Sequence, residues 1–258
     1  MVLLDMDGTF YLSETIYPFS LGFMEYIASR GIDYLFMTNN STRSADHYAK
    51  KLQKLGFCAP PEKVLTSGEA TARFLWHKKP GAKLYVAGTP ILEQEFRDFG
   101  FTLTDKDPDF AVIGFDTTLT YEKLWKICDF VRLGVAYIAT HPDFNCPVDS
   151  ETGFMPDIGG IIAFVDATTG KRPKVVGKPN AEIVNVAMEK LGLAPEQIAV
   201  VGDRLYTDIA SGINAGMLSI LVMSGETDET MLAQSEIRPD LVFRDLGALQ
   251  ERMVELGI

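Results

Sequence analysis

The segment Val2-Leu3-Leu4-Asp5-Met6-Asp7-Gly8-Thr9, close to the start of the chain, decides the fold. Its apolar run, which leads to a glycine, predicts a short buried strand that ends in a turn. Asp5 and Asp7 are two residues apart and would share a face on a strand, although the bend at the strand end can separate them. We therefore expect two carboxylates at the carboxyl end of the first strand.

Paired carboxylates fit a reaction in which one attacks as a nucleophile and the other transfers a proton. Two anionic groups this close repel each other, and a divalent ion that prefers oxygen ligands, such as Mg²⁺, would hold them together. Asp-x-Asp-Gly also occurs in calcium-binding loops, but these need a glutamate at the twelfth position, which is Ile16 here. The apolar segment before Asp5 looks like a strand, whereas a calcium loop follows a helix.

Length, composition and charge bound the protein class. The chain has 258 residues, 47% of them hydrophobic, which suits one large or two modest globular domains. It shows no bilayer-length apolar run and no signal peptide, and one or two lead-in residues can precede Met1. The widely spaced Cys58, Cys128 and Cys146 form no disulfide framework, so we expect a cytoplasmic protein. The net charge of −11 argues against nucleic acid or an anionic membrane as a partner, and an anionic substrate would need local cations.

Apolar strands and amphipathic helices alternate along the chain, a pattern typical of parallel sheets with helices on both faces. Among the helices we expect one over residues 67–76, with Ser67 as its N-cap, and one over residues 161–167. In such folds, ligands collect at the carboxyl ends of the strands, where the polar clusters of this sequence also fall.

The middle of the chain has strands and helices of its own but no second pair of carboxylates like Asp5 and Asp7. It therefore looks like an insertion into the first architecture. We predict an α/β protein with a Rossmann-like, doubly wound parallel sheet core over residues 1–80 and 174–258. A smaller α/β domain over residues 81–173 is inserted into this core.

The second polar cluster, Thr38-Asn39-Asn40-Ser41, follows a predicted strand and precedes a predicted helix. A hydroxyl at a strand end beside a helix N-terminus can bind phosphate, together with backbone N–H groups. The cluster also fits a structural role, in which Ser41 or an asparagine caps the helix. On these residues alone, both interpretations stay open.

Two further clusters carry charge. In Gly177-Lys178-Pro179-Asn180, the lysine can neutralise a nucleophilic carboxylate or a phosphoryl group, or it can lie in a surface turn. In Gly202-Asp203-Arg204-Leu205-Tyr206-Thr207-Asp208, Asp203 follows a strand and suits a metal ligand. Asp208 can orient a metal-bound water or Lys178, and it also fits the first turn of a helix, where the helix dipole favours an acid.

The order of these four clusters resembles the haloacid dehalogenase superfamily of phosphotransferases. The long insertion and the Gly-Lys-Pro-Asn segment resemble its NagD-like branch, the p-nitrophenylphosphatase-like proteins with a large α/β cap domain. The resemblance covers essentially the whole chain. It implies a Mg²⁺-dependent phosphatase of small phosphomonoesters, such as sugar phosphates or nucleoside monophosphates, which works through an aspartyl phosphate. p-Nitrophenyl phosphate would be an artificial substrate.

The resemblance also implies roles for individual residues. Asp5 would attack phosphorus, Asp7 would protonate the leaving alcohol and then activate water, and Lys178 would steady Asp5 and the phosphate. The residues implied to bind the phosphoryl group are Thr38, Asn39 through its backbone, Asn40 and Lys178. The implied Mg²⁺ site consists of Asp5, the backbone carbonyl of Asp7, Asp203 and, in support, Asp208.

Other functions stay open beside this one. A phosphomutase or phosphotransferase would use the same aspartyl phosphate, but its cap is usually small and helical. A non-catalytic phosphate-sensing module should have lost Asp5, Asp7 or Lys178, and all three are present. We expect a small phosphorylated metabolite as the partner, neither nucleic acid nor a membrane, and exposed cap faces that are compatible with a homodimer.

The loop over residues 141–147 is the best candidate to face the substrate, together with residues 156–160, because polar residues and prolines at a strand end suit recognition. His141 and Cys146 suggest zinc, but two potential ligands without others nearby make a poor zinc site.

Overall fold

The computed structural model describes residues 1–148, 151 and 153–258. Contacts between residues divide the chain into two compact units. The first unit consists of Met1–Thr38, Tyr48–Leu65 and Ala187–Ile258, and the second consists of Asn39–His47 and Thr66–Val186. The division between the units falls inside the second polar cluster, between the consecutive residues Thr38 and Asn39.

The strands build two main sheets and two short ribbons. Numbered in chain order, they are β1 (Val2–Leu4), β2 (Tyr11–Leu12), β3 (Thr15–Ile16), β4 (Tyr34–Thr38), β5 (Val64–Thr66), β6 (Lys83–Ala87), β7 (Thr102–Leu103), β8 (Phe110–Ile113), β9 (Ala136–Ala139), β10 (Asn145–Pro147), β11 (Phe154–Pro156), β12 (Lys174–Val175), β13 (Ala199–Gly202), β14 (Leu218–Val222) and β15 (Leu241–Phe243). A six-stranded sheet has the order β15-β14-β13-β1-β4-β5, and a five-stranded sheet has the order β12-β9-β8-β6-β7. β2 pairs with β3, and β10 with β11, both antiparallel.

Helices alternate with these strands. They are α1 (Ser20–Ser29), α2 (Ala45–Lys54), α3 (Ser67–Lys78), α4 (Pro90–Asp98), α5 (Tyr121–Arg132), α6 (Ile158–Thr169), α7 (Ala181–Leu191), α8 (Ala210–Asn214), α9 (Glu229–Gln234) and α10 (Leu246–Leu256). Short 3₁₀ turns lie at Pro61–Lys63 and Pro195–Gln197, and a π-helical turn at Leu205–Ile209. Within the described parts of the chain, no helix is both long and apolar enough to cross a membrane.

The inner strands of the six-stranded sheet are largely buried, as their continuous apolar runs predict. All three residues of β1 are buried, and its central Leu3 lies opposite Val200 of β13 and Leu35 of β4 in parallel register. Because the three strands run in the same direction, their carboxyl ends meet at one edge of the sheet. This edge carries Asp5, Thr38 and the loop that follows β13.

The five-stranded sheet has its own core. Ala87, Ile113 and Ala139 lie side by side on β6, β8 and β9, which are parallel. They pack in one buried cluster with Ile127 of α5 and Val165 of α6. Small and aliphatic residues on the strands let the helices approach the sheet closely, so the second unit has an apolar core of its own.

The predicted α/β class with parallel sheets is confirmed, but one predicted N-cap and one predicted helix start are wrong. The N-cap of α3 is Thr66 and not Ser67, because the Thr66 hydroxyl accepts from the N–H of Glu69. α6 begins at Ile158 rather than at residue 161, because the Asp157 carboxylate accepts from the N–H of Ile158 and the two following glycines lie inside the helix.

The boundaries of the inserted domain, residues 81–173, stay a prediction. Four strands of the five-stranded sheet, β6 to β9, lie within these residues, whereas its fifth strand, β12 (Lys174–Val175), lies just beyond them.

Candidate active site

Three predicted metal ligands lie together at the carboxyl edge of the six-stranded sheet. Asp5 follows β1, Asp203 follows β13, and Asp208 lies in the π-helical turn. Each offers a carboxylate oxygen, and the three oxygens lie within 4.8 Å of one another. Asp203 and Asp208 are buried and Asp5 is half-buried. The group provides the all-oxygen ligands that Mg²⁺ prefers.

The carboxylate of Asp203 is held on two sides. Its Oδ1 accepts from the Thr9 hydroxyl at 3.0 Å, and its Oδ2 accepts from the N–H of Glu226 at 2.7 Å. Two glycines leave room for it: a Cβ on Gly8 would lie 2.5 Å from Oδ2, and a Cβ on Gly225 would also collide with the carboxylate. Gly8 has a φ of +90°, in the left-handed region that favours glycine. The turn after β1 therefore leaves room for the carboxylate of Asp203, which follows β13.

Burial, and then the nearby Asp208, raise the pKa of Asp203 to about 6, although the hydrogen bonds from Glu226 and Thr9 oppose this shift. Arg204, the adjacent cation, forms an ion pair of 2.8 Å with Glu226, which also accepts from the Tyr206 hydroxyl at 2.6 Å. The positive charge of Arg204 also acts on Asp203 and lowers its pKa, but burial and Asp208 outweigh this effect. Three acids this close need a further cation to stay ionised together.

The side chain of Asp7 is not a member of the three-carboxylate group. It is half-buried, and its Oδ2 accepts from the Tyr11 hydroxyl at 3.3 Å. Burial, and then Asp7, raise the pKa of Tyr11 well above its usual value, so the phenol keeps its proton and acts as a donor. The side chain of Asp7 is thus oriented by Tyr11, and its main-chain carbonyl is the group that the resemblance assigns to the metal.

Lys178 is buried, with 2% of its surface exposed, which excludes the alternative of a surface-turn lysine. Its main chain is bound by the side chain of Asn39: the N–H of Lys178 donates to Oδ1 at 2.8 Å, and Nδ2 donates to the Lys178 carbonyl at 3.0 Å. The peptide bond between Lys178 and Pro179 is cis. The structure therefore brings together Asn39 and Lys178, two of the predicted site residues, within the second unit.

The rest of the second cluster is also held in place. Thr38 is buried at the end of β4. The Asn40 side chain closes a turn, because Oδ1 accepts from the N–H of Thr42 at 2.9 Å and from its hydroxyl at 2.7 Å. Ser41 shares a hydrogen bond of 3.0 Å with the Thr140 hydroxyl, so it contacts the loop after β9 rather than capping α2.

Sequence reasoning missed the residues that connect the loop after β9 to this cluster. Asp143 accepts from Asn39 Nδ2 through both oxygens at 3.1 Å. His141 is fully buried, with Nδ1 3.0 Å from the Thr140 hydroxyl and Nε2 3.1 Å from Asp157. Both ring nitrogens of His141 therefore lie within hydrogen-bonding distance of neighbouring side chains. The available signal is the position of these residues at a strand end, which predicts substrate recognition but not contacts with Asn39.

Comparison with known proteins decides the family. A model of haloacid dehalogenase-like hydrolases matches residues 2–102, and a HAD-hydrolase-like model matches residues 175–249. An acid sugar phosphatase from Staphylococcus aureus is 38% identical over 246 residues, which cover 95% of this chain and 94% of that protein. The chain belongs to the haloacid dehalogenase-like hydrolases.

Solved structures identify the branch of these hydrolases. A 4-nitrophenylphosphatase from Thermotoga maritima matches with a TM-score of 0.93 at 46% sequence identity. The match covers 97% of this chain and 95% of the chain of that protein. NagD from Escherichia coli K-12 has a TM-score of 0.88 at 30% identity, with 95% and 96% covered. The protein is therefore an enzyme of the NagD-like branch, a phosphatase of the haloacid dehalogenase type, as its sequence motifs predicted.

Phosphatases of the haloacid dehalogenase type generally use a divalent metal, and the residues of this chain fit one. The donors are three carboxylates from two segments of the chain, and two of them are buried. This all-oxygen donor set favours a hard divalent cation in the first unit.

Proposed function

We propose that this protein is a Mg²⁺-dependent phosphatase that hydrolyses small phosphomonoesters through an aspartyl phosphate on Asp5. The observation that carries the proposal is the grouping of Asp5, Asp203 and Asp208, whose oxygens lie within 4.8 Å of one another. Asp5, the carbonyl of Asp7 and Asp203 would hold Mg²⁺, with Asp208 in support. The ion would neutralise charge on the phosphoryl oxygens and beside the nucleophile.

In the first half-reaction, a carboxylate oxygen of Asp5 attacks phosphorus in line with the leaving oxygen. The new P–O bond forms as the ester P–O bond breaks, and Asp7 gives its proton to the departing alcohol. The Tyr11 hydroxyl, 3.3 Å from Asp7 Oδ2, keeps the acid in one orientation. This division gives the two carboxylates of the opening motif separate tasks.

In the second half-reaction, water attacks phosphorus of the aspartyl phosphate. Asp7, now a carboxylate, takes a proton from this water, and the bond between phosphorus and Asp5 breaks to release inorganic phosphate. Asp5 returns as a carboxylate and Asp7 as an acid, so the cycle closes without a further reagent.

Phosphoryl transfer depends on placement and charge neutralisation more than on covalent chemistry. We assign the phosphoryl oxygens to the Thr38 hydroxyl, the main chain around Asn39, and Asn40. Lys178 would offset the charge of Asp5 and of the phosphoryl group, and its burial supports this role, because a buried ammonium needs anionic neighbours.

The substrate class follows from the relatives. One is named an acid sugar phosphatase and another a 4-nitrophenylphosphatase, which supports sugar phosphates as natural substrates and p-nitrophenyl phosphate as an artificial one. Nucleoside monophosphates stay within the proposal. We further propose that residues 81–173 are the cap domain that selects among these esters, and that the enzyme is cytoplasmic.

The test is Mg²⁺-dependent release of phosphate from p-nitrophenyl phosphate and from a panel of sugar phosphates and nucleoside monophosphates. We expect Asp5→Asn to lower kcat by on the order of 10³-fold or more. Asp46→Asn makes the same chemical change at an exposed position of α2 and should keep the wild-type rate. A wild-type rate in Asp5→Asn would refute the nucleophile assignment, and an isomerised product without phosphate release would indicate a mutase.

A further inference from the structure

The side-chain amide of Asn39 forms hydrogen bonds with both main-chain polar groups of Lys178. Its Oδ1 accepts from the N–H of Lys178 at 2.8 Å, and its Nδ2 donates to the carbonyl of the same residue at 3.0 Å. Two hydrogen bonds to one residue fix the rotation of its main chain, and with it the direction in which the side chain leaves the backbone. Asn39 therefore fixes the position of the Lys178 main chain, from which its side chain extends.

This arrangement works in one orientation of the Asn39 amide. If the amide were flipped, its oxygen would face the Lys178 carbonyl and its NH₂ group would face the Lys178 N–H, so both bonds would be lost. The Asp143 carboxylate lies 3.1 Å from Nδ2 through each of its oxygens. An ionised carboxylate only accepts hydrogen bonds, so it holds the NH₂ group on its own side and selects the productive orientation.

The three residues are shielded from water, which strengthens their hydrogen bonds. Asn39, Asp143 and Lys178 are 6%, 8% and 2% exposed. The packing is tight, because a Cβ on Gly177 would lie 2.7 Å from Asn39 Oδ1. Any residue larger than glycine there would push the amide away from Lys178.

The main chain of Asp143 is also anchored. The N–H of Gly159, in the first turn of α6, donates to the Asp143 carbonyl at 2.7 Å. Two residues earlier, His141 contacts Asp157, the N-cap of α6, at 3.1 Å. The Asp143 carboxylate is thus presented from a loop that is fixed at both ends, as a positioning group requires.

We propose that Asp143 is a positioning residue for Lys178, which acts by fixing the amide of Asn39. The inference rests on the proposed function, because it takes the ammonium of Lys178 as a group that neutralises charge during phosphoryl transfer. Asp143 does not touch the substrate in this proposal. Removal of the Asp143 carboxylate misplaces Lys178 and slows phosphoryl transfer. The three-carboxylate group of the first unit is unchanged.

The test compares Asp143→Ala, Asp143→Asn and Lys178→Met in the full chain, with p-nitrophenyl phosphate and Mg²⁺. We expect Asp143→Ala to lower kcat roughly 10- to 100-fold, with little change in KM or in the Mg²⁺ concentration for half-maximal rate. Asp143→Asn retains an acceptor for Asn39 Nδ2 and should recover part of the loss. Asp129→Ala, an exposed aspartate on α5, is the matched control and should behave as wild type.

The decisive readout is the double variant. If Asp143 acts through Lys178, adding Asp143→Ala to Lys178→Met lowers kcat no further than Lys178→Met alone. Multiplied losses, or a wild-type kcat in Asp143→Ala, would overturn the inference. If Asp143→Ala does not fold, the same comparison is made with Asp143→Asn. A wild-type kcat in Lys178→Met would instead refute the role of Lys178 in the proposed function, and the inference with it.

Discussion

The hydroxyl of Thr9 donates a hydrogen bond of 3.0 Å to Asp203, which lies 194 residues further along the chain. Thr9 is fully buried in the turn after β1, and Asp203 follows the neighbouring strand β13. The bond joins the motif that carries the proposed nucleophile to the segment that carries a proposed metal ligand. The hydrogen bond can therefore form only when the segments after β1 and β13 lie side by side.

Replacing Thr9 by valine keeps its shape and removes this donor. Loss of a hydrogen bond to a buried carboxylate lowers the stability of a protein by about 1–3 kcal/mol. We expect Thr9→Val to lower the free energy of unfolding by that amount in the absence of Mg²⁺, measured by urea denaturation. Thr9→Ser, which keeps the hydroxyl, should lose less. Equal stability of wild type and Thr9→Val would show that the bond contributes nothing.

Gly225 leaves space that the Asp203 carboxylate uses. A Cβ at this position would collide with the carboxylate, so Gly225→Ala must displace it. We expect Mg²⁺ binding, measured by calorimetry, to weaken at least about tenfold, because one ligand moves out of place. Gly160→Ala is the control, since a Cβ there meets nothing within 4 Å. Unchanged Mg²⁺ affinity in Gly225→Ala would mean that Asp203 is not a ligand.

The pH dependence of metal binding follows from Asp203. Burial and Asp208 raise its pKa to about 6 in the metal-free protein. Below this pH the ion must displace a proton, so we expect Mg²⁺ affinity to fall roughly tenfold from pH 7 to pH 5. Calorimetry in buffers of different ionisation enthalpy should detect the released proton at low pH. An affinity that is constant across this range would contradict the assignment.

Glu95 on α4 should make the free energy of unfolding depend on pH. Among the described residues, its Oε2 has no hydrogen-bond partner, and burial, followed by Glu69 and Asp98, raises its pKa to about 8. An unfolded glutamate titrates near 4.3, so between about pH 4.3 and pH 8 the folded protein binds the extra proton. Its free energy of unfolding must then fall as pH rises through this window.

Glu95→Gln is neutral at every pH and should remove this decline. We expect it to be more stable than wild type at pH 8 by on the order of a few kcal/mol, and close to wild type near pH 4.5. Glu93→Gln, on the same helix, loses an ion pair with Arg97 near the surface and should show no such pH-dependent gain. Parallel stability curves for wild type and Glu95→Gln would disprove the account of Glu95.

Candidate site residues near strand ends could be proposed from the sequence alone. Asp5, Asp203 and Lys178 each belong to a short motif whose local pattern indicates both the element and the chemistry. Because parallel strands bring their carboxyl ends to one edge, the grouping of Asp5 and Asp203 followed from the fold class.

Asp143 was not predictable in the same way. It lies 104 residues from Asn39, and no local period or spacing links the two. Its role depends on the orientation of one amide, which is decided by packing and not by pattern. The predicted N-cap of α3 is wrong for a simpler reason. Thr66 and Ser67 are adjacent residues with hydroxyl groups, and Thr66 is the one that caps the helix. Short strands such as β7 and β12 have two residues each, too few for a recognisable alternation.

The central claim is that Asp5 carries the phosphoryl group during turnover. p-Nitrophenolate leaves without needing a proton, so Asp7→Asn should still form the aspartyl phosphate from p-nitrophenyl phosphate but hydrolyse it slowly. We predict a burst of about one p-nitrophenolate per enzyme, with the phosphoryl group found on Asp5 by mass spectrometry after acid quench. Turnover without a burst and with Asp5 unmodified, or a phosphoryl group on another residue, would contradict the account.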